Sequence, residues 1–182
     1  MNEAVFTRGS TRRHVLAMTG ASAIGLMAMF GVDMIDMFFL TLLGEQELAA
    51  AVGFAGTLAF FLVAVSIGLQ IALGALVARS EGAHRRDMAR RYCSTGLIFN
   101  ALVSIFISAM AWLNLPALLT LLGASGLTFD YALSYAGIML PFMPVLVMGM
   151  SMASAVRAIG DARRSMWATI IGSLVNGLLD PL

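Results

Sequence analysis

Leu48–Ala78 reads LAAAVGFAGTLAFFLVAVSIGLQIALGALVA, a run of 31 residues without Asp, Glu, Lys or Arg. A helix needs about 20 apolar residues to cross the roughly 30 Å hydrocarbon core of a bilayer. A buried strand of a soluble protein is far shorter. This stretch therefore predicts a transmembrane helix, and the rest of the chain repeats its pattern. His14–Val32 is free of charge for 19 residues, Tyr92–Phe129 for 38, Tyr131–Val156 for 26 and Ser165–Leu179 for 15. Of the 182 residues, 60% are apolar and 12% charged. Soluble domains carry about twice that share of charge, so a soluble globule is excluded. A transmembrane β-barrel would alternate apolar and polar residues in segments of about ten, and no such alternation is present. Helices satisfy their own backbone, as a bilayer demands.

The predicted fold is all-α, a polytopic bundle with helices at about 15–43, 48–78, 92–115, 131–156 and 165–182, after a tail at 1–13. Pro116, Gly123, Ser125 and Gly126 mark a helix stop and an outer loop within the 38-residue stretch. The chain ends inside the fifth helix, which gives the expectation of a truncated sequence.

Orientation follows from arginine, the basic residue this chain uses throughout. Arg8, Arg12 and Arg13 lie in the tail, and none lies in the loop with Glu45 and Glu47. Arg79, Arg85, Arg86, Arg90 and Arg91 fill the next connection; the one around Asp130 has none, and Arg157, Arg163 and Arg164 fill the last. Positive loops face the cytoplasm, which predicts a cytoplasmic N-terminus in a plasma (inner) membrane protein. Thr11-Arg12-Arg13 before an apolar run resembles a secretory leader. A cut near Ala21-Ser22-Ala23 would leave too short an apolar region, so an uncleaved first helix is expected. Cys93 is the single cysteine, which excludes an internal disulfide and a cysteine-built metal site. A net charge of +1 spread over short loops gives no reason to expect nucleic acid.

Three acids fall inside predicted spans: Asp33, Asp36 and Asp180. An intramembrane carboxylate is costly and is a functional candidate by default. Helical rise places Asp36 and Asp180 beyond the midplane, in the outer half of the membrane. Desolvation disfavours the charged form of such a group, which suits it to take up and release a proton or to hold a monovalent cation. Asn176 precedes Asp180 by one turn and offers an amide oxygen on the same face. Pro181 removes an N–H and frees a carbonyl near Gly177. Asp36, Asn176 and Asp180 are the candidate proton or sodium site, with Asp33 an additional cavity residue. Met34, Met37 and Met143 are weaker candidates for a cavity wall, because adaptable thioethers suit varied ligands; the many methionines equally suit helix packing. Pro141 and Pro144 are expected to loosen the fourth helix, which bilayer proteins tolerate where neighbours re-satisfy the backbone. Gly68-Leu-Gln-Ile-Ala72 and Gly149-Met-Ser-Met-Ala153 have the spacing of close helix contacts. No constellation of His, Cys, Ser and carboxylate suggests catalysis, so no enzyme and no cofactor are expected.

Asp36-Met-Phe-Phe-Leu-Thr-Leu-Leu-Gly44 followed by Leu48-Ala49-Ala50 resembles the end of the first helix in multidrug and toxic compound extrusion (MATE) transporters. Val77-Ala78 with Gly82 and Arg85–Arg91 resembles that family's connection between helices two and three. Arg157-Ala-Ile-Gly160-Asp161 resembles the connection between helices four and five, and Asn176-Gly-Leu-Leu-Asp180-Pro181 the fifth-helix motif. The resemblance implies a cation-coupled antiporter, driven by protons or sodium, that exports drugs and other organic, often cationic, compounds. It implies twelve helices in two six-helix lobes, of which this chain would be the incomplete N-terminal lobe without its C-terminal partner. It also implies that Asp36, Asn176 and Asp180 serve the coupling. Gly20 and Ala21 stand where many members have a proline in helix one, and Thr41 where a glycine is frequent. Two other readings stay open. A lipid-linked glycan flippase would place several Arg inside a span, and none is seen here. A small structural membrane protein would tolerate loss of Asp36 and Asp180.

Overall fold

The computed structural model describes residues 10–42 and 46–179, and among them all regular structure is helical. The elements are α1 (Thr11–Leu42), α2 (Gln46–Gly82), α3 (Arg86–Leu113), α4 (Leu115–Leu121), α5 (Gly126–Ala158) and α6 (Ala162–Leu179). Among the described residues, four helices are long and apolar enough to cross a membrane: the His14–Val32 part of α1, then α2, α3 and α5. The fifth predicted crossing corresponds to α6, which has 18 described residues. α1 is a single helix of 32 residues, through Gly20 and Ala21, where no proline interrupts it.

The outer loop expected after Leu115 is corrected by the structure. α3 ends at Leu113, and α4 begins after Asn114 with Pro116 in its first turn. Proline is well tolerated there, because the first amides of a helix have no intrahelical acceptor. Leu115 and Leu119 of α4 are buried, so this stretch is a docked helix.

Two compact units are present, and α2, α3 and α5 each pass from one to the other. The first comprises residues 1–39, 72–94 and 152–182; the second comprises residues 40–71 and 95–151. In the second unit Ala51, Ala55, Leu58 and Leu62 of α2 form a core with Ala132, Ala136, Leu140 and Met143 of α5 and Leu115 and Leu119 of α4. The three- and four-residue spacings keep each set on one helical face. Alanine at half of the α2 and α5 positions lets backbones approach closely, which substitutes in a bilayer for the hydrophobic drive of water.

Polarity is inverted relative to a soluble protein. Ser66, Asn100, Ser104, Ser108 and Ser151 are buried, while Phe60, Phe61, Phe106 and Phe142 are exposed. Hydroxyls are satisfied locally: Ser66 donates to the Leu62 carbonyl at 3.1 Å and Ser80 to that of Leu76 at 2.8 Å, the back-bonding open to Ser and Thr in helices.

Close helix approaches occur at other glycines than the two expected. Gly68 and Gly149 have nothing within 4 Å of where a Cβ would stand. Gly74 instead faces Ser154 Oγ at 3.5 Å, and Gly25 faces Thr169 at 3.7 Å. Spacing alone marks faces that could approach closely; which faces do so is set by the burial stripe of each helix.

Candidate functional site

The first unit brings α1, the end of α5 and α6 together around a short corner. α5 closes on Gly160 with φ of 92°, a left-handed conformation that favours glycine. The Gly160 amide donates to the Arg157 carbonyl at 2.9 Å and the Asp161 amide to that of Val156 at 3.2 Å. This pair of bonds is the Schellman closure of a helix. Asp161 then caps α6, with Oδ1 accepting from the Arg164 amide at 3.1 Å and Oδ2 lying 3.1 Å from Arg164 Nε. Arg157 Nη1 reaches across the corner and donates to Ser165 Oγ at 2.9 Å. Thus Arg157-Ala-Ile-Gly160-Asp161 is a structural unit in which Gly160 ends one helix, Asp161 starts the next and Arg157 ties them.

Beside the corner, α1 lies against α6. Gly25 is buried, and a Cβ there would stand 3.7 Å from both Cβ and Cγ2 of Thr169. A cavity of about 240 Å³ opens at this seam between Ser22, Gly25 and Leu26 of α1, Arg157 of α5, and Ser165, Met166 and Thr169 of α6.

Of the candidate coupling residues, Asp33, Asp36 and Asn176 lie further along the same two helices. Asp33 and Asp36 belong to α1 and Asn176 to α6, but their side chains lie outside the described residues, as does the whole of Asp180. Met34 is 75% and Met37 47% exposed on α1, whereas Met143 is 6% exposed within the core of the second unit. The structure therefore does not gather these three methionines at one surface.

The second unit contains a polar device that composition and spacing did not reveal. Pro141 and Pro144 lie inside α5. Each lacks an N–H, so the carbonyls of Gly137 and Leu140 have no helical donor. Trp112 Nε1 of α3 donates to the Gly137 carbonyl at 3.0 Å, and Ser108 Oγ, one turn away on α3, donates to the Leu140 carbonyl. Both orphaned acceptors are thus filled by one face of one neighbour. A turn or two away, Asn100 Nδ2 donates to Ser151 Oγ, and Ser151 Oγ donates to the Val147 carbonyl at 2.7 Å. The two prolines were the available signal; the donors could not be chosen without knowing which helix lies alongside.

No group of three or more potential metal ligands occurs among the described residues.

Comparison with known proteins fits this architecture. The MatE family model matches residues 21–182. An "FAD transporter" of Shewanella oneidensis is 25% identical over 93% of this chain and 37% of its own length. A "Probable multidrug resistance protein NorM" of Synechococcus is 29% identical over 86% of this chain and 33% of its own length. Among solved structures, a MOP superfamily transporter from Pyrococcus furiosus superposes with a TM-score of 0.92 at 24% identity, over all of this chain and 40% of that one. The same values hold for an outward-facing multidrug resistance MATE family transporter, so these likenesses establish the fold. This chain spans between a third and two fifths of the proteins it matches.

Proposed function

The chain belongs to the MatE family, and on that premise we propose that it forms the first lobe of a cation-coupled antiporter exporting organic compounds. It acts as a carrier rather than an enzyme, sits in the inner membrane with its N-terminus in the cytoplasm, and uses protons or sodium as the coupling ion. The Arg-rich and Arg-free connections supply the reason for the orientation. Relatives named for multidrug resistance support drug-like organic cations as substrates. The relative named as an FAD transporter favours a second reading, export of a dinucleotide.

One observation supports the coupling site: the close approach of α1 to α6 at Gly25 and Thr169. Asp36 follows Gly25 by eleven residues, and Asp180 follows Thr169 by the same eleven. Eleven residues make close to three turns, about 16 Å of rise, so position 36 returns to the face of α1 that approaches α6, and a helix continuing to position 180 would return to the matching face. With alternating crossings α1 and α6 run in the same direction, and equal offsets would put positions 36 and 180 at one depth if α6 continues as a helix. Asn176, one turn before Asp180, shares that face. Two carboxyls at one level, with an amide oxygen one turn away on the same face, suit a proton or a sodium ion, since hard cations take oxygen ligands.

The test is export of ethidium, read as its uptake into everted vesicles bearing the transporter that carries this chain. Removing sodium at constant pH should abolish export if sodium is coupled; collapsing the proton gradient in sodium-free buffer should abolish it if protons are. Export that survives both treatments contradicts the proposal. Export of FAD with no export of ethidium favours the second reading.

A further inference from the structure

Among the described residues, no ion pair balances the charge of Arg157. Its side chain is half-buried, and the acceptor it reaches is a neutral hydroxyl, Ser165 Oγ. A guanidinium presents five N–H donors in a planar fork. Asp161, the nearest acid in sequence, is occupied with the amide and Nε of Arg164. Among the described residues, no carboxylate lies within ion-pair distance of Arg157. Even a half-buried charge without a counter-charge is costly, which makes an exogenous anion a favourable occupant of the space beside it.

That space is the cavity of about 240 Å³ at the α1–α6 seam. Ser165 Oγ receives the Arg157 N–H, so its own proton is free to point elsewhere, and no acceptor for it is seen among the described residues. Ser22 adds a second hydroxyl from α1 and Arg157 its remaining N–H groups. Leu26 and Met166 line the apolar remainder. A guanidinium fork and two hydroxyls lining one cavity match a tetrahedral oxyanion with acceptors on every side. An organic cation would be repelled. Ser165 directly follows Arg163 and Arg164, at the level where a span meets the headgroups, so a lipid phosphate can enter beside its own acyl chains.

We infer that Arg157, Ser165 and Ser22 form a phosphate-binding site at the α1–α6 seam, which takes the phosphate of an anionic lipid or free phosphate. Ser22 and Ser165 stand about four helical turns before positions 36 and 180 in sequence, and the site uses residues independent of the coupling proposal.

Thermal unfolding of the purified protein in neutral detergent at fixed ionic strength tests it, with three probes added separately. These are dioleoylphosphatidylglycerol, inorganic phosphate, and dioleoylglycerol, which has the same chains and no phosphate. The midpoint is expected to rise with phosphatidylglycerol if the source is lipid, or with inorganic phosphate if it is free, and to stay unchanged with dioleoylglycerol. Arg157→Gln should weaken the response about tenfold or more, the scale of one lost charged hydrogen bond. Should that variant fail to fold, the double variant Ser22→Ala, Ser165→Ala keeps the charge and should weaken the response severalfold. An equal rise with dioleoylglycerol, no rise with either phosphate, or an undiminished response in the variant that folds would overturn the assignment.

Discussion

Trp112 donates its indole N–H to the carbonyl of Gly137 at 3.0 Å, the acceptor that Pro141 leaves without its helical donor. Ser108 does the same for Leu140 below Pro144. In lipid an unpaired carbonyl has no water to turn to, so a double-proline segment is admissible only with such donors alongside. α3 therefore works as a clamp on α5, and the clamp is directional: it depends on the prolines being there.

That dependence predicts a double-mutant cycle. Trp112→Phe keeps the ring and removes the donor, at a cost of about 1–2 kcal/mol in unfolding free energy within the bilayer. In a Pro141→Ala background the helix regains its own donor, and the same substitution should cost clearly less. Reversible unfolding in mixed micelles measures both; equal costs in the two backgrounds would mean the bond does not serve the proline break.

Asn100 and Ser151 form the second α3–α5 tie, relayed to the Val147 carbonyl. Ser151→Ala should destabilise by about 0.5–2 kcal/mol, because it removes the acceptor of a buried amide. Asn100→Ala in the Ser151→Ala background should add little, as the amide is by then already unpaired. A fully additive double variant, read by the same unfolding assay, contradicts the pairing.

Three helices close with the same pair of bonds around a left-handed residue, on Gly123, Gly160 and His84. Gly160 has φ of 92° and His84 has φ of 56°; the His84 amide donates to Glu81 at 3.0 Å and the Arg85 amide to Ser80 at 2.9 Å. A side chain in this region is strained where glycine is not. His84→Gly should therefore raise stability by about 0.5–1 kcal/mol and Gly160→Ala should lower it by at least as much. Opposite signs in thermal unfolding are the expected result.

Asp161 caps α6 through the Arg164 amide. Asp161→Ala should cost about 0.5–2 kcal/mol and Asp161→Asn much less, since both Asp and Asn cap well. Amide hydrogen exchange at residues 163–166 would show the loss as faster exchange in the alanine variant alone.

The spans were legible because charge is scarce and sharply placed: the gap at Leu48–Ala78 lies wholly inside α2 and that at Tyr131–Val156 inside α5. The four motifs that resemble the MATE pattern fall in the region the MatE model matches. α4 was not legible, because Pro116 reads as a stop from the preceding side and as a good first-turn residue from the following one. Neither was the clamp, since Trp112 and Ser108 acquire their roles only from the carbonyls that face them. The Gly68 and Gly149 patterns misdirected for a related reason: a small residue permits a contact without supplying a partner.

The account rests most heavily on positions 36 and 180 acting together on faces that meet at Gly25 and Thr169. The direct measurement is cation-driven export by Asp36→Asn, Asp180→Asn and the double variant in the transporter carrying this chain, at matched amounts in the membrane. Each single variant is expected to lose coupled export, and the double variant to be no worse than either, as for groups that act as a unit. Wild-type coupled export in either single variant would contradict the account.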